Sequence, residues 1–224
     1  GISELLSNKI AVQSYLSPHT LKAFEKELYS LKQDTQLQHA LCCGTGISRL
    51  RDVSQRMTVF IENEDTLLEK QATDFSSGQI ETIASRLITM KDIAWGLRED
   101  FLANQDKIAD LAGRLGMMSD SFYCRYQKIN SCLNILDRLE VRGRDSAGLQ
   151  LAIQLKTGQA LTHLAKAVKE QGLHDEFLRR SAPGELLNGS INLSRDMLIF
   201  TYKTALIAGE LGENTGRLRK FIRS

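Results

Sequence analysis

The sequence predicts a mainly α protein in which long antiparallel, coiled-coil-like helices are joined to a small α/β element. Three observations carry this. Ile80, Ile83, Leu87, Met90, Ala94, Leu97, Phe101, Asn104, Ile108, Leu111 and Leu115 recur by threes and fours, with Asn104 as the polar exception. The chain has only two prolines and is rich in Leu, Lys, Glu, Gln and Ala, which suits long uninterrupted helices. Residues 133–155 then change period: Leu133, Leu136 and Leu139 are spaced helically, Arg142-Gly143-Arg144-Asp145 breaks the pattern, and Leu149, Leu151, Ile153 and Leu155 alternate as in a strand.

Taken in order, residues 2–16 read as a short amphipathic helix. Ser17-Pro18 restarts the chain, since proline suits a first helical turn, and Leu21, Phe24, Leu28 and Leu31 carry a helix expected to continue to Leu41. Gly44-Thr45-Gly46 breaks it. A second long helix follows through Ile47, Leu50, Val53, Met57 and Leu67, with its acidic middle, Glu62-Asn63-Glu64-Asp65, read as solvated or as a local turn.

Ser76-Ser77-Gly78 separates this helix from the heptad run, which would span about 50 Å and end at Gly116. Asn104 on that seam is expected to select register at some expense of stability. A fourth helix should start near Ser119 or Ser121 and pair antiparallel with the third. It delivers the Gly143 turn, where glycine permits positive φ, and Gly148 is read as a place of close backbone or ligand approach. Beyond the strand, Thr157-Gly158 opens a helix through Leu161, Leu164, Val168 and Leu173. Ser181-Ala182-Pro183-Gly184 is loop, and Asn188-Gly189-Ser190 is turn chemistry before a short strand at Ile191-Asn192-Leu193. From Asp196 through Met197, Ile199, Tyr202, Ala205 and Ile207 the reading is helix, and a short basic helix closes the chain at residues 216–223.

Composition narrows the function. The chain has 224 residues, 42% of them apolar and 25% charged, in the range of a globular protein. A net charge of +2 gives no argument for nucleic acid or an anionic membrane as partner. No apolar run approaches the roughly 20 residues of a membrane span, and no signal peptide is visible. Cys42, Cys43, Cys124 and Cys132 lack metal-site spacing and read as reduced thiols of a cytoplasmic protein, with Cys42-Cys43 a buried pair. His19, His39, His163 and His174 lie at no ligand spacing and are assigned surface or capping roles. No cofactor is expected. The basic cluster Arg217, Arg219, Lys220 and Arg223 reads as a solvated helix face, with phosphate binding as the sharper alternative.

The run Arg138-Leu139-Glu140-Val141-Arg142-Gly143-Arg144-Asp145-Ser146-Ala147-Gly148 resembles the arginine–glycine–tyrosine–aspartate–serine motif of class II glutamine amidotransferases, in particular the glutaminase half of glucosamine-6-phosphate synthases. It departs at Val141 and Arg144, where the family usually has tyrosine. Gly209-Glu210-Leu211-Gly212-Glu213-Asn214 with Leu218 is similar to a glycine-containing segment that precedes a later helix of the same family. The resemblance implies a piece of an αββα Ntn sandwich, with Arg142, Gly143, Asp145, Ser146 and Gly148 near the active site. It implies glutamine and a sugar phosphate as substrates of the full-length protein. The plain reading of the same residues is a surface turn whose Arg and Asp pair locally and whose Ser caps.

The family's nucleophile is an N-terminal cysteine whose α-amine acts as base, and a histidine–threonine–arginine–tryptophan motif clamps the substrate. Neither is present. Gly1 starts the chain and the single tryptophan, Trp95, sits in the heptad run. The expectation is an internal, by itself inactive segment, organised as a helical insertion over 1–121, a helix–turn–strand over 122–156 and a mostly helical part over 157–224. Cys43-Gly44-Thr45-Gly46-Ile47 faintly resembles the cysteine–glycine start, although glycine termination of a helix explains it more simply. The rival expectation is a non-catalytic helical module that binds a helical partner or forms a homo-oligomer.

Overall fold

The computed structural model describes residues 1–113, 119–140, 146–155, 159–182, 189–194, 196–205 and 211–223, with backbone alone at 159 and 160. It is mainly helical, as the periodicities predict, and its small α/β element is built on one three-stranded antiparallel sheet. The chain divides into two compact units, Gly1–Tyr126 and Gln127–Ser224.

The first unit holds α1 (Ile2–Leu6), α2 (Pro18–Gln33), α3 (Thr35–Cys43), α4 (Gly46–Lys70), α5 (Ser77–Trp95), a π-helical segment (Gly96–Leu102), α6 (Ala103–Ala112) and the start of α7 (Asp120–Leu139). The expected helix over 2–16 is only α1, followed by a 3-10 turn at Val12–Ser14. Helix α2 starts where the sequence says it should: Pro18 is in the first turn and Ser17 Oγ accepts from Thr20 N at 3.3 Å. It does not continue to Leu41. Asp34 leaves helical geometry and its carboxylate accepts from Leu37 N at 2.9 Å, starting α3. The buried Gln38 amide donates to the carbonyls of Leu31 and Lys32, each at 2.9 Å, and so satisfies the end of α2. A side chain from the next helix does what continued helix would have done.

Helix α4 passes without a break through Glu62-Asn63-Glu64-Asp65, so the run is no turn, and Glu62 and Asn63 are exposed as the solvated reading has it. Glu64 is buried, accepting from Ile2 N at 2.8 Å, while Asp65 pairs with Lys91 at 2.8 Å. Asp65 with Lys91 and Arg51 with Asp106 give the register of an antiparallel pair between α4 and the α5–π–α6 run. Such exposed pairs contribute about 0–1 kcal/mol each, so the apolar seam sets the register and the charges report it. Helix α2 packs on α5 in parallel, with Lys32 on Asp100 at 2.7 Å and Leu28 against Gly96. The shared core is Leu21, Ile61, Leu87, Met90, Ile93 and Ala94, and a second cluster joins Ile2, Leu5, Tyr15 and Ile83.

The heptad run is one helical path, yet not one regular helix. From Ile83 to Leu97 the expected positions are buried, and Ile93 and Gly96 are buried beside them, while Ile80 is only partly covered. Within and past the π segment the expected Phe101, Ile108 and Leu111 are buried too, and among the described residues the departure there is confined to Asn104. Phe101 and Leu102 are both buried, and Gln105, not Asn104, is the polar residue taken inside. Asn104 is half-buried and its Nδ2 donates to Asp100 O at 2.8 Å, whereas the buried Gln105 Oε1 accepts from Tyr123 at 2.6 Å and Cys42 at 3.1 Å.

The second unit contains the remainder of α7, β1 (Ser146–Gln154), α8 (Gln159–Glu170), α9 (His174–Ser181), β2 (Ser190–Ser194), β3 (Met197–Ala205) and α10 (Glu213–Arg223). The expected single helix from Thr157 through Leu173 ends earlier, and Gly172 at φ +70° turns the chain into α9. The sheet order is β1-β3-β2, all antiparallel, with Gly148 opposite Lys203 and Ser190 opposite Thr201. Met197–Ala205 is therefore a central strand and not the helix expected from Asp196 onward. Leu198, Tyr202 and Thr204 are its buried residues, at even spacing, and the run is rich in β-branched and aromatic types. Helix α10 packs on β3 and β1, bringing Leu218 into the core with Leu133 of α7 also buried. No helix among the described residues is long and apolar enough to cross a membrane.

Candidate functional site

Arg142, Gly143 and Asp145 lie outside the described residues, as do Val141 and Arg144. The described flanks of that stretch are both held within the second unit. On the C-terminal side, Ser146 opens β1 opposite Ala205, and Gly148 lies two residues on with its face exposed. A Cβ built on Gly148 would rest 3.4 Å from Tyr202 O, an ordinary contact. The sheet therefore does not require glycine there.

On the N-terminal side, Glu140 is 3% exposed at the end of α7. Its carboxylate accepts from Gly212 N at 2.8 Å and from Thr215 N at 2.9 Å. One turn earlier, Asp137 accepts from the Thr215 hydroxyl at 3.0 Å. Asn134 then accepts from Arg219 Nη2 at 3.0 Å. Gly212 adopts φ +85°, and a Cβ there would sit 3.2 Å from Asp137 Oδ1, so glycine suits both the backbone and the close approach. Three successive turns of α7 thus grip α10.

The arrangement has an electrostatic logic. The first N–H groups of α10 lack intrahelical acceptors and carry the positive end of its dipole, and Glu140 supplies the anion. A phosphate at this terminus would have to displace a buried carboxylate. The basic cluster on α10 is partly committed as well: Arg217 pairs with Glu213 at 3.0 Å and Arg219 with Asn134, leaving Lys220 exposed. These contacts favour a structural joint over an anion site.

Sequence reasoning did not single out Glu140 or Thr215, because no local pattern links residues so far apart. The glycine followed by Glu213-Asn214-Thr215 at a helix start was the available signal. Two further expectations are corrected. Cys42 and Cys43 are not a buried pair, since Cys43 is exposed, and His39 is buried rather than a surface residue. Cys43 is the last residue of α3, ahead of Gly44 in extended geometry. Among the described residues no group of His, Cys, Asp and Glu is placed to hold a metal ion. Comparisons with protein families, with curated proteins and with solved structures find nothing that matches this chain.

Proposed function

We propose that this chain is an internal segment of a class II glutamine amidotransferase, in which glutamine is hydrolysed and the ammonia aminates a sugar phosphate. The second unit would be part of the glutaminase core and the first a helical insertion. The observation that supports this is the joint at Glu140. The two stretches that carry the family resemblance, 138–148 and 209–214, are far apart in sequence, and Glu140 of one binds Gly212 of the other. An accidental likeness in two separate places gives no reason for them to touch.

In this reading Arg142, Gly143, Asp145, Ser146 and Gly148 line the approach to a nucleophile that this segment does not carry. The protein works in the cytoplasm with its thiols reduced and needs no cofactor. Gly148 would then be glycine for a substrate's sake, since Tyr202 O leaves room for a methyl group.

A specific feature favours a second reading, a non-catalytic interaction module. The first unit has an apolar trough of about 710 Å³ between α2, α4 and α5, lined by residues such as Phe24, Leu28, Leu31, Val53, Met57 and Phe60. The test is to capture the native protein with an antibody to this chain and treat it with a diazo-ketone analogue of glutamine. Intact mass and N-terminal sequencing follow. A larger protein labelled once, on an N-terminal cysteine, is the expected result. An unlabelled protein would overturn the amidotransferase reading and leave the module.

A further inference from the structure

We propose that Cys43 is a hydroperoxide-reactive thiol, activated by His39 and oriented through Asp120, within the first unit. Helix α3 sets His39 and Cys43 one turn apart, on neighbouring positions of the same face. The His39 Nε2 lies 3.2 Å from Cys43 Sγ. The opposite ring nitrogen, Nδ1, lies 2.5 Å from Asp120 Oδ1 at the start of α7. A carboxylate only accepts, so Nδ1 donates to Asp120 and Nε2 is left as the acceptor for the thiol proton. Nucleophile, base and orienting group stand in line, the order by which activated thiols are recognised.

The surroundings hold the relay and single out one sulfur. The imidazole is buried and packs against the Tyr123 ring, with centroids 5.1 Å apart. The Tyr123 hydroxyl donates to Gln105 at 2.6 Å, and burial raises it, so it stays neutral. The charged group facing His39 is thus Asp120 from α7. Gln105 of α6 is neutral, and the charge of Asp106 bears on the neighbouring Cys42. Cys42 points inward, donating to Gln105 Oε1 at 3.1 Å, and burial followed by the charge of Cys43 pushes its thiol up to about 11. Cys43 is the exposed one of the two.

Access argues for a small substrate. The apolar trough takes Leu37 and Leu41 from α3 and neither His39 nor Cys43, so the reactive sulfur opens at a helix end and outside that trough. Proton transfer from Cys43 to His39 forms a thiolate and an imidazolium. The thiolate attacks the distal oxygen of a hydroperoxide, an S–O bond forms and the O–O bond breaks. The departing alkoxide or hydroxide takes the proton from His39, giving an alcohol or water. Sulfur loses two electrons to the peroxide, and Cys43 is left as sulfenic acid, one step up the oxidation ladder.

The experiment treats the full chain with hydrogen peroxide at neutral pH, traps sulfenic acid with a cyclic diketone and follows each cysteine by peptide mass. Exposed Cys132 is the internal reference. Cys43 is expected to react on the order of tenfold faster than Cys132, which has no imidazole placed to take its proton among the described residues. His39→Gln should bring the ratio to about one, whereas Asp120→Asn should lower it and Asp120→Glu restore part of it, with Cys42 unreactive throughout. Equal rates at Cys43 and Cys132 in the wild-type chain, or an unchanged ratio in folded His39→Gln, would overturn the proposal. Should His39→Gln unfold and expose Cys42, the wild-type ratio together with the Asp120 pair decides between the two outcomes.

Discussion

Glu140 and Thr215 are joined by a hydrogen bond of 2.9 Å from the Thr215 backbone N–H to the Glu140 carboxylate, across 75 positions of sequence. Through it the end of one helix becomes the cap of another. Glu140→Ala leaves the N–H groups of Gly212 and Thr215 without this acceptor, and a loss of about 1–3 kcal/mol is expected. Glu140→Gln keeps one acceptor oxygen and should lose less. Urea unfolding of both variants, read in the second unit, checks the order.

Arg86 holds the N-terminal segment. Its Nη1 donates to the carbonyls of Val12, Gln13 and Tyr15 at 2.7, 3.1 and 2.7 Å. Those carbonyls belong to a turn with little regular structure of its own. Arg86→Ala should destabilise the first unit by about 2 kcal/mol, since hydrogen bonds to charged donors are the stronger kind. Residues 1–16 should exchange their amide hydrogens faster, and exchange mass spectrometry would reveal it. Protection equal to wild type over that segment would count against the anchoring role.

Cys42 predicts a pH dependence. Burial raises its thiol from 9.0 to about 11 in the folded chain. The neutral thiol is therefore favoured by folding. Its contribution is fully present below pH 9, where the unfolded chain's thiol is also protonated, and is lost as pH rises toward 11. Cys42→Val should reduce the fall in stability over that window, measured by denaturant midpoints at successive pH values.

Gly96 opens the π segment with Leu28 of α2 close by. A Cβ there would meet Leu28 Cδ2 at 2.9 Å. The contact is with the tip of a flexible side chain, and alanine gains about 1 kcal/mol of helix propensity over glycine, so Gly96→Ala should be close to neutral. Gly96→Leu drives a full side chain between the helices and should cost about 1–3 kcal/mol. Thermal unfolding of the pair separates a packing constraint from a backbone one, because φ at Gly96 is ordinary helical at −60°.

Much of the helical framework was legible because its signals are local. Ser17-Pro18 starts α2, and the capping box of Ser76 with Gln79 starts α5. The alternation from Leu149 to Ile153 gives β1, and the apolar stripe from Ile83 to Leu97 is buried as its period demands. Where the signals compete, neighbours decide. Leu198, Tyr202 and Ala205 are spaced by four and three as in a helix, Leu198, Phe200 and Tyr202 by two as in a strand, and pairing with β1 on one side and β2 on the other selects the strand. Where α2 ends, Gln38 from the next helix meets the outgoing carbonyls of Leu31 and Lys32, and past the π segment Gln105 is buried in place of Asn104.

The sites were less legible for a related reason. Motif likeness pointed to residues 138–148, and the grip of Glu140 on α10 needed both helices in place. His39 and Cys43 are adjacent on a helix and can be read together from their spacing, but Asp120 enters only when the chain has folded back on itself. Sequence period sets which residues a helix or strand presents on one face. Which distant polar group meets that face depends on packing, because hydrogen bonds act over a few ångströms and carry no trace in the intervening sequence.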